Sequence, residues 1–383
     1  MKVVILGAGF AGLTLAAELE PLAAAGKADV VLVERNAAFQ MGFSIQWVLA
    51  GRRTPAVGQR EYASVRTEHV RFLQDEVAAI DVKGKVVHTR SQRLPYDRLV
   101  IALGAEPAPD LVPGLADAAY NLCDMGSIVQ FREALRGIDR GSVLIAVSSV
   151  PFKCPPAPYE YALLVDDILR KRGVRESVRV VVSTPEPHPM PVAGKAVGEQ
   201  FVALLKERGI EFLPGHKPKA VDVARRTVAY ENGVELTFGL FAAMPPHRAP
   251  KVVRDAGLVD ASGFVPVDLG AFRTAHDGVL VVGDTASLKL PNGNPHPKAG
   301  VFAEAQARAV ASALRAEIAG GTAVPYDGKG VCFVDAGNEL AAAAEADLLG
   351  PGGPRIVLRP PSSEGLEGKR RFERERFAKW FGG

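Results

Sequence analysis

The sequence predicts an α/β protein with two Rossmann-like, dinucleotide-binding domains, the second inserted into the first, plus a C-terminal segment. Residues 1–34 place an apolar strand, a glycine turn, an Ala/Leu-rich helix and a second strand in succession, which is one βαβ unit. The alternation restarts at residue 141, and the apolar run GVLVVGDTASL at 278–288 predicts a later buried strand. A chain of 383 residues can hold more than one core.

Changes in composition mark the boundaries that we expect between these units. The Pro-rich connection AEPAPDLVPG follows an antiparallel excursion within residues 70–101. An Ala-rich run at 297–321, stopped by paired glycines, predicts one long helix. We therefore assign residues 1–108 and 255–322 to the first domain, 109–254 to the inserted domain, and 323–383 to the C-terminal segment.

Composition excludes several classes of protein. Shares of 48% hydrophobic and 23% charged residues are those of a globular protein and argue against a disordered or fibrous chain. A net charge of +3, spread along the chain, argues against nucleic acid as a partner. The sequence lacks an apolar run long enough for a membrane span and begins without a signal-peptide pattern, so we expect cytoplasmic synthesis. Its three cysteines lack zinc-ligand spacing, so we expect no metal.

Gly7, Gly9 and Gly12 form a dinucleotide fingerprint between the first strand and the first helix. The first glycine turns the chain, the second lets a pyrophosphate approach the backbone, and the third lets helix pack on strand. Glu34 ends the second strand, where a carboxylate accepts hydrogen bonds from ribose hydroxyls. A purely structural glycine turn is the alternative, which the agreement of strand, helix and acidic residue disfavours.

A second carboxylate, Asp284 after Gly283, follows the buried strand late in the chain. It can bind the polyol between a pyrophosphate and a flavin ring, which favours FAD over NAD. Together with Gly104 in YDRLVIALGA, the pattern resembles the two-dinucleotide flavoprotein disulfide reductase superfamily. The resemblance implies that residues 1–108 and 255–322 are an FAD-binding domain.

The inserted domain lacks the second glycine fingerprint with which such reductases bind NAD(P)H. Its corresponding turn is AVSSVPFKCPP, and no glycine occurs between Gly141 and Gly173. Prolines in this turn fix the backbone and remove amide donors that a phosphate needs. We therefore expect residues 109–254 to be a degenerate NAD(P)-type domain without a nicotinamide site.

Cys154 lies in that turn, before a helix whose N-terminal amides are expected to favour a thiolate. A packed, unreactive thiol is an equal alternative. Cys332 is a candidate partner, but sequence separation alone does not pair the two cysteines. His188 and His247 lie in loops and are expected to be structural or exposed rather than catalytic.

Over nearly its whole length the sequence resembles sulfide:quinone oxidoreductases and the flavoprotein subunit of flavocytochrome c sulfide dehydrogenases. The most specific of the shared motifs are PFKCPP and PKAGVFAE. The resemblance implies that hydrosulfide attacks a Cys154–Cys332 disulfide, so that one cysteine takes the sulfur and the other faces the flavin. It also implies a place for Cys123 near the dimethylbenzene edge of the flavin, although a packing role is equally good.

Lys298 is the candidate for stabilising negative charge on a reduced flavin, because it precedes "AGVFAEAQA" at the start of a predicted helix. The chain has no cysteine near Met41, where flavocytochrome c flavoproteins attach FAD. Quinone is therefore the expected electron acceptor and hydrogen sulfide the expected donor. Alternatives are electron transfer to a cytochrome, an NAD(P)H-dependent flavin or quinone reductase, and a non-catalytic redox sensor. The sequence does not determine the oligomeric state, and a homo-oligomer is compatible with it.

The C-terminal sequence GKRRFERERFAKWFGG combines basic and aromatic residues. On a helix Phe377, Trp380 and Phe381 fall on one side, which predicts a peripheral contact with a membrane surface that admits the quinone. An ordinary helix docked on the protein is the alternative.

Overall fold

The computed structural model describes residues 1–382 and alternates strands and helices in the predicted order. The helices are α1 (Phe10–Ala24), α2 (Ser44–Leu49), α3 (Leu115–Ala118), α4 (Met125–Gly137), α5 (Ala157–Lys171), α6 (Lys195–Glu207), α7 (Lys251–Asp255), α8 (Gly300–Ala319) and α9 (Ser363–Phe381). The strands are β1 (Lys2–Leu6), β2 (Asp29–Glu34), β3 (Ala38–Gln40), β4 (Gln59–Glu61), β5 (Arg71–Gln74), β6 (Val77–Asp81), β7 (Val86–Thr89), β8 (Arg93–Pro95), β9 (Arg98–Ile101), β10 (Glu106–Pro107), β11 (Tyr120–Asn121), β12 (Gly141–Val147), β13 (Val178–Ser183), β14 (Glu211–Leu213), β15 (Pro218–Asp222), β16 (Thr227–Tyr230), β17 (Glu235–Thr237), β18 (Leu240–Met244), β19 (His247–Arg248), β20 (Val265–Pro266), β21 (Val279–Val281), β22 (Ala286–Ser287), β23 (Lys329–Asp335), β24 (Ala341–Asp347) and β25 (Arg355–Ser362).

Five parallel strands form the first sheet, in the order β21, β9, β1, β2, β5. β1 is apolar and buried on both faces, as a central strand of a parallel sheet must be. Helices α1 and α8 pack against one face. Because β21 comes from late in the chain, the chain leaves this sheet and later returns to it.

A second parallel sheet lies between those two passages of the chain, in the order β11, β18, β12, β13, β14. Helices α4, α5 and α6 share its apolar core. The excursion before it is the antiparallel sheet β6–β7–β8, as predicted. The α/β class with an inserted second parallel unit is confirmed, and the boundaries near residues 108 and 254 stay a prediction.

The predicted strand at 278–288 is shorter in the structure. β21 ends at Val281, and residues Gly283–Thr285 form a single tight turn. Gly283 has φ +71°, which an L residue with a side chain adopts only under strain. The strand therefore ends before Asp284, which lies in the turn that follows.

The C-terminal segment is an antiparallel sheet, β23–β24–β25, followed by the 19-residue helix α9. Its aromatic residues Phe377, Trp380 and Phe381 are at most 6% exposed. Trp380 packs edge-on against Phe39, with ring centroids 5.6 Å apart, inside the core of the first sheet. The expectation that this stripe faces lipid is therefore wrong, because the protein itself covers it.

None of the helices within residues 1–382 combines the length and the apolar composition that crossing a bilayer requires.

Replacing Trp380 by alanine should lower the free energy of unfolding by about 3–5 kcal/mol, because the change leaves a cavity in a packed aromatic core. Urea unfolding followed by circular dichroism measures the loss. The matched control is Arg371→Ala on the exposed side of α9, which should change stability by less than ~0.5 kcal/mol. Unchanged stability in Trp380→Ala, accompanied by weaker vesicle binding, would restore the lipid-facing interpretation.

Candidate active site

A cavity of about 1260 Å³ lies at the carboxyl ends of the strands of both parallel sheets. Most of the predicted site residues line it, namely Gly7, Gly9, Glu34, Gly104, Cys123, Cys154, Asp284, Lys298 and Cys332. Gly12 and Gly283 do not line it. The structure therefore brings the dinucleotide residues and all three cysteines to one cavity.

The three fingerprint glycines differ in what surrounds them. A Cβ on Gly7, which has φ +92°, would lie 2.6 Å from the carbonyl oxygen of Ala102, and one on Gly12 would lie 1.8 Å from that of Gly7. A Cβ on Gly9 would meet no atom within 4 Å, and Gly9 lines the cavity. Gly7 and Gly12 thus permit close packing, whereas Gly9 leaves room for a ligand against the backbone.

Glu34 is fixed at the end of β2 by three hydrogen bonds. Its Oε2 accepts from the amide of Ala8 at 3.0 Å, and its Oε1 accepts from the backbone and side-chain nitrogens of Asn36 at 2.9 and 2.6 Å. Oε2 keeps one further lone pair, because a carboxylate accepts about four hydrogen bonds, two on each oxygen. The side chain can therefore still receive ribose hydroxyls.

The Asp284 turn is held by its neighbours on both sides. The Gly283 amide donates to Oε1 of Gln306 at 2.7 Å, and the Thr285 hydroxyl donates to the Gly104 carbonyl at 2.7 Å. The first bond joins the turn after β21 to helix α8, and the second joins it to the turn after β9. Asp284 is thereby positioned at the cavity without using its own carboxylate in these bonds.

Lys298 is 6% exposed and lies beside the same turn. Its Nζ donates to the carbonyls of Asp284 and Ala286, at 2.7 and 2.8 Å, and lies 3.7 Å from the ring centroid of Phe264. Burial lowers the pKa of this lysine to about 8. Helix α8 begins at Gly300 and not at residue 297, so Lys298 precedes the helix instead of lying in its first turn. Two of the three N–H groups are used within the protein, so one is left for a ligand.

Cys154 adopts a left-handed backbone conformation, with φ +56°. Its amide donates to the Lys298 carbonyl at 2.7 Å, and its own carbonyl accepts from the Ala157 amide at 2.8 Å. Such conformations in residues other than glycine cost energy and concentrate at functional sites. The turn of the second sheet is thus tied directly to the lysine loop of the first.

The cysteines are free thiols in this structure, and their ionisation is unfavourable. Burial, followed by the negative charge of Glu160, raises the pKa of Cys154 well above its usual value and that of Cys332 to about 12. Desolvation and the carboxylate in the first turn of α5 both oppose the thiolate that the helix N-terminus is expected to favour at Cys154.

A buried ion pair lies next to these thiols, and the sequence does not predict it. Lys369 on α9 pairs with Glu160, each side chain being 1% exposed, and its Nζ also donates to Oε1 of Gln46 at 3.0 Å. Burial raises the pKa of Glu160 to about 7, against the opposing effect of Lys369. All three residues line the cavity. The available signal was the glutamate six positions after Cys154.

The Cys123 thiol contacts the thioether of Met244 and the imidazole of His247. Its Sγ is 3.2 Å from Sδ of Met244 and 3.6 Å from Nε2 of His247. Burial raises the pKa of Cys123 to about 11 and lowers that of His247 to about 3. His247 is 6% exposed, in agreement with a structural role and not with an exposed loop.

Comparison with known proteins relates the chain to a group of flavoproteins. The profile of pyridine nucleotide-disulphide oxidoreductases matches residues 1–145, and that of the central part of sulfide dehydrogenase (flavocytochrome c) flavoprotein chains matches residues 129–245. The mitochondrial sulfide:quinone oxidoreductase of Dictyostelium discoideum is 26% identical over 309 residues, 75% of this chain but 66% of that protein. The chain is similar to sulfide:quinone oxidoreductases and to the flavoprotein chains of flavocytochrome c sulfide dehydrogenases.

Two further comparisons concern the fold and the relatives of this family. The sulfide:quinone oxidoreductase structure from Aquifex aeolicus has a TM-score of 0.87 at 23% identity, covering 99% of this chain and 91% of that one. At that identity the likeness establishes the fold. A type II NADH:quinone oxidoreductase of Staphylococcus haemolyticus is 24% identical over 374 residues, 90% of this chain and 88% of that protein.

FAD is the cofactor of this flavoprotein family, and the residues at the cavity fit it. The open space at Gly9 suits a pyrophosphate, and Glu34 suits a ribose. The individual assignments of Gly104, Asp284 and Lys298 stay predictions.

The acidic residue that follows β13 in the second sheet, Glu186, is hydrogen-bonded inside the protein. Glu186, shortly after β13, is 6% exposed, and its Oε2 accepts from the Tyr159 hydroxyl at 2.6 Å and from that of Thr184 at 3.3 Å. This carboxylate is turned into the core, where it is not available to a nucleotide ribose. The geometry supports the expectation of a lost nicotinamide site.

Glu186 should make stability depend on pH. Burial raises its pKa from 4.5 to about 7, so the folded protein keeps a proton that the unfolded chain releases above its lower pKa. The free energy of unfolding should therefore fall as pH rises from 4.5 to 7, by up to roughly 3 kcal/mol from this residue. Urea unfolding at pH 5 and pH 8 measures the change.

Glu186→Gln should remove this part of the pH dependence. The matched control is Glu199→Gln on α6, where the side chain is 65% exposed and should contribute almost nothing. An identical pH dependence in wild type and Glu186→Gln would contradict the assignment.

Proposed function

We propose that this protein oxidises hydrogen sulfide and passes the electrons, through FAD, to a quinone. The observation that carries the proposal is the presence of Cys154 and Cys332 in one cavity with the FAD fingerprint. The two thiols are close enough for the charge of Cys332 to raise the pKa of Cys154. The match of residues 129–245 to sulfide dehydrogenase flavoproteins supports the same chemistry.

In the proposed reaction, hydrosulfide attacks Cys154 in a Cys154–Cys332 disulfide. The S–S bond between the cysteines breaks, a new S–S bond leaves a persulfide on Cys154, and Cys332 departs as a thiolate. Attack by a second hydrosulfide releases the sulfur as a disulfide anion and leaves Cys154 as a thiol. Closing the cysteine pair again frees two electrons, which bound FAD accepts.

Charge around the sulfur atoms is supplied by the buried ion pair. The Lys369 ammonium favours the thiolate forms, because its charge lowers the pKa of both Cys154 and Cys332. Glu160, with a pKa of about 7, can hold or release a proton near neutral pH beside the same thiols. We therefore assign these two residues to charge and proton balance in the sulfur step.

An apolar part of the cavity lining suits a quinone ring. Phe10, Phe43, Val331, Phe333 and Phe372 all contribute to it. Phe372 is half-buried, and the Arg376 guanidinium lies 3.5 Å from its ring centroid, which keeps the ring in place. A quinone acceptor implies contact with a membrane surface, and that contact must use a part of the protein other than the buried stripe of α9.

NAD(P)H is a second candidate donor, because the likeness to type II NADH:quinone oxidoreductase covers most of the chain. Two features oppose it: the turn after β12 contains prolines where a fingerprint has glycines, and Glu186 faces the core. A cytochrome is the alternative acceptor, favoured by the match of the central segment to flavocytochrome c flavoproteins.

Anaerobic addition of sulfide to the purified flavoprotein should bleach the FAD absorbance, and a short-chain quinone should restore it. Cys154→Ser and Cys332→Ser should each lose sulfide bleaching by at least ~100-fold in rate, because neither can form the disulfide. Dithionite must still bleach both variants, which controls for bound FAD.

The same stopped-flow experiment separates the alternatives. NADH should give no fast bleaching, and cytochrome c should reoxidise the flavin more slowly than quinone. Unbleached FAD at millimolar sulfide, or full turnover in either serine variant, contradicts the proposal.

Phe372→Ala should raise the KM for quinone about tenfold while sulfide bleaching is unchanged, because one aromatic contact is worth ~1.4 kcal/mol. The neighbouring exposed Arg371→Ala is the control and should leave both half-reactions unaltered. An unchanged quinone KM in Phe372→Ala would place the acceptor elsewhere.

A further inference from the structure

Cys123, Met244 and His247 form a compact cluster that the proposed sulfur step does not use. Cys123 follows β11, Met244 ends β18, and His247 comes three residues later, so neighbouring strands deliver all three at one edge of the second sheet. The Sγ–Sδ and Sγ–Nε2 distances are 3.2 and 3.6 Å. Cys123 and Met244 line the cavity, which gives a small solute a route to the cluster.

The three donor atoms are a thiol sulfur, a thioether sulfur and an imidazole nitrogen. Thiolate and thioether ligands select soft ions such as Cu(I), whereas carboxylate and carbonyl oxygens select Mg²⁺ and Ca²⁺. Protein sulfur and nitrogen ligands approach a first-row metal to about 2.0–2.3 Å, so two ligands of one ion lie within ~4 Å of each other. Both measured separations meet that condition.

The imidazole of His247 is oriented for such a role. Nε2 is directed at the Cys123 sulfur, and the residue is 94% buried. The other side of the ring faces the backbone carbonyl of Pro245, although without a hydrogen bond of normal geometry at Nδ1. A proton on Nδ1 leaves the lone pair of Nε2 for a ligand, and metal-binding histidines commonly donate their second nitrogen to a backbone carbonyl.

Charge balance selects a monovalent ion. Binding displaces the thiol proton, so a singly charged cation and the thiolate together leave the buried cluster neutral. A divalent ion would leave a net positive charge in the low-dielectric interior, near the ammonium of Lys153, whose charge acts on both Cys123 and His247. The neutral outcome is the less costly one.

We propose that Cys123, Met244 and His247 form a binding site for one soft monovalent metal ion, of which Cu(I) is the biological example. Within residues 1–382 no group of three or more His, Cys, Asp or Glu side chains is arranged to hold a metal. This cluster differs because a methionine thioether is its third ligand. The site does not depend on sulfide or quinone being the substrates.

The test uses the FAD-loaded, reduced full-length protein, under anaerobic conditions. Cys154→Ser and Cys332→Ser are combined in one background, so that the other two cysteines do not bind the ion. Cu(I) is titrated in competition with bicinchoninate, a coloured Cu(I) chelator. The background protein should take up one equivalent of Cu(I), and FAD absorbance confirms that each variant remains folded.

Each ligand is then removed in turn. Cys123→Ser should abolish the uptake of Cu(I). Met244→Leu and His247→Phe should each weaken the affinity for Cu(I) by more than roughly tenfold, because even the loss of a residue that supports a metal ligand can weaken affinity that much. The matched control is Met190→Leu, a buried methionine outside the cluster, which should leave affinity unchanged.

Three results would overturn the proposal. They are an absence of Cu(I) uptake by the background protein, retention of the full equivalent in Cys123→Ser, and equal affinities in Met244→Leu and Met190→Leu. Because Met244→Leu preserves volume, it keeps the test decisive even where another variant fails to fold.

Discussion

One backbone hydrogen bond, from the Cys154 amide to the Lys298 carbonyl, joins the two sheets at the cavity. Residues 153 and 298 also pair as an isolated parallel bridge. Lys298 in turn holds the Asp284 turn through its ammonium group, and that turn is bonded to Gly104. The thiol of the second sheet is therefore positioned through the same contacts that order the dinucleotide residues of the first. A change in the backbone of the Cys154 turn must therefore alter the position of the Lys298 loop, and the reverse.

Helix α9 closes this arrangement from the C-terminal side with two kinds of contact. Phe377, Trp380 and Phe381 bury apolar surface in the core of the first sheet. The pairs Lys369–Glu160 and Arg53–Glu373 are largely buried, and the desolvation of their charges offsets much of their attraction. We infer that the aromatic residues stabilise the docked helix, whereas the ion pairs determine which side chains it presents to the cavity.

Local pattern predicted most of the fold. The alternation that the sequence restarts at residue 141 begins with β12 at Gly141–Val147, and the antiparallel excursion expected within residues 70–101 is the sheet β6–β7–β8. The fingerprint could be predicted because its glycines, strand and helix are contiguous in sequence. The aromatic stripe of α9 could not be interpreted in the same way, because its spacing is the same whether lipid or Phe39 covers it.

The parts of the site that escaped prediction depend on contacts between distant residues. A helix N-terminus next to Cys154 is visible in sequence, but the burial that opposes ionisation is not. Cys123 and Met244 are 121 positions apart, and Glu160 and Lys369 are 209 apart, so no spacing rule relates them. Tertiary structure supplies both the low dielectric and the partners.

The buried ion pair also determines how the site can accommodate reduction. A cysteine disulfide carries no charge, and Lys369 and Glu160 then neutralise each other. When the proposed sulfur step creates a thiolate, a second negative charge enters the same buried group, which its low dielectric disfavours. Because the pKa of Glu160 is about 7, this carboxylate can take up a proton and leave Lys369 to pair with the thiolate. The ion pair then exchanges its anion, and the buried group of cysteine, glutamate and lysine stays neutral in both states.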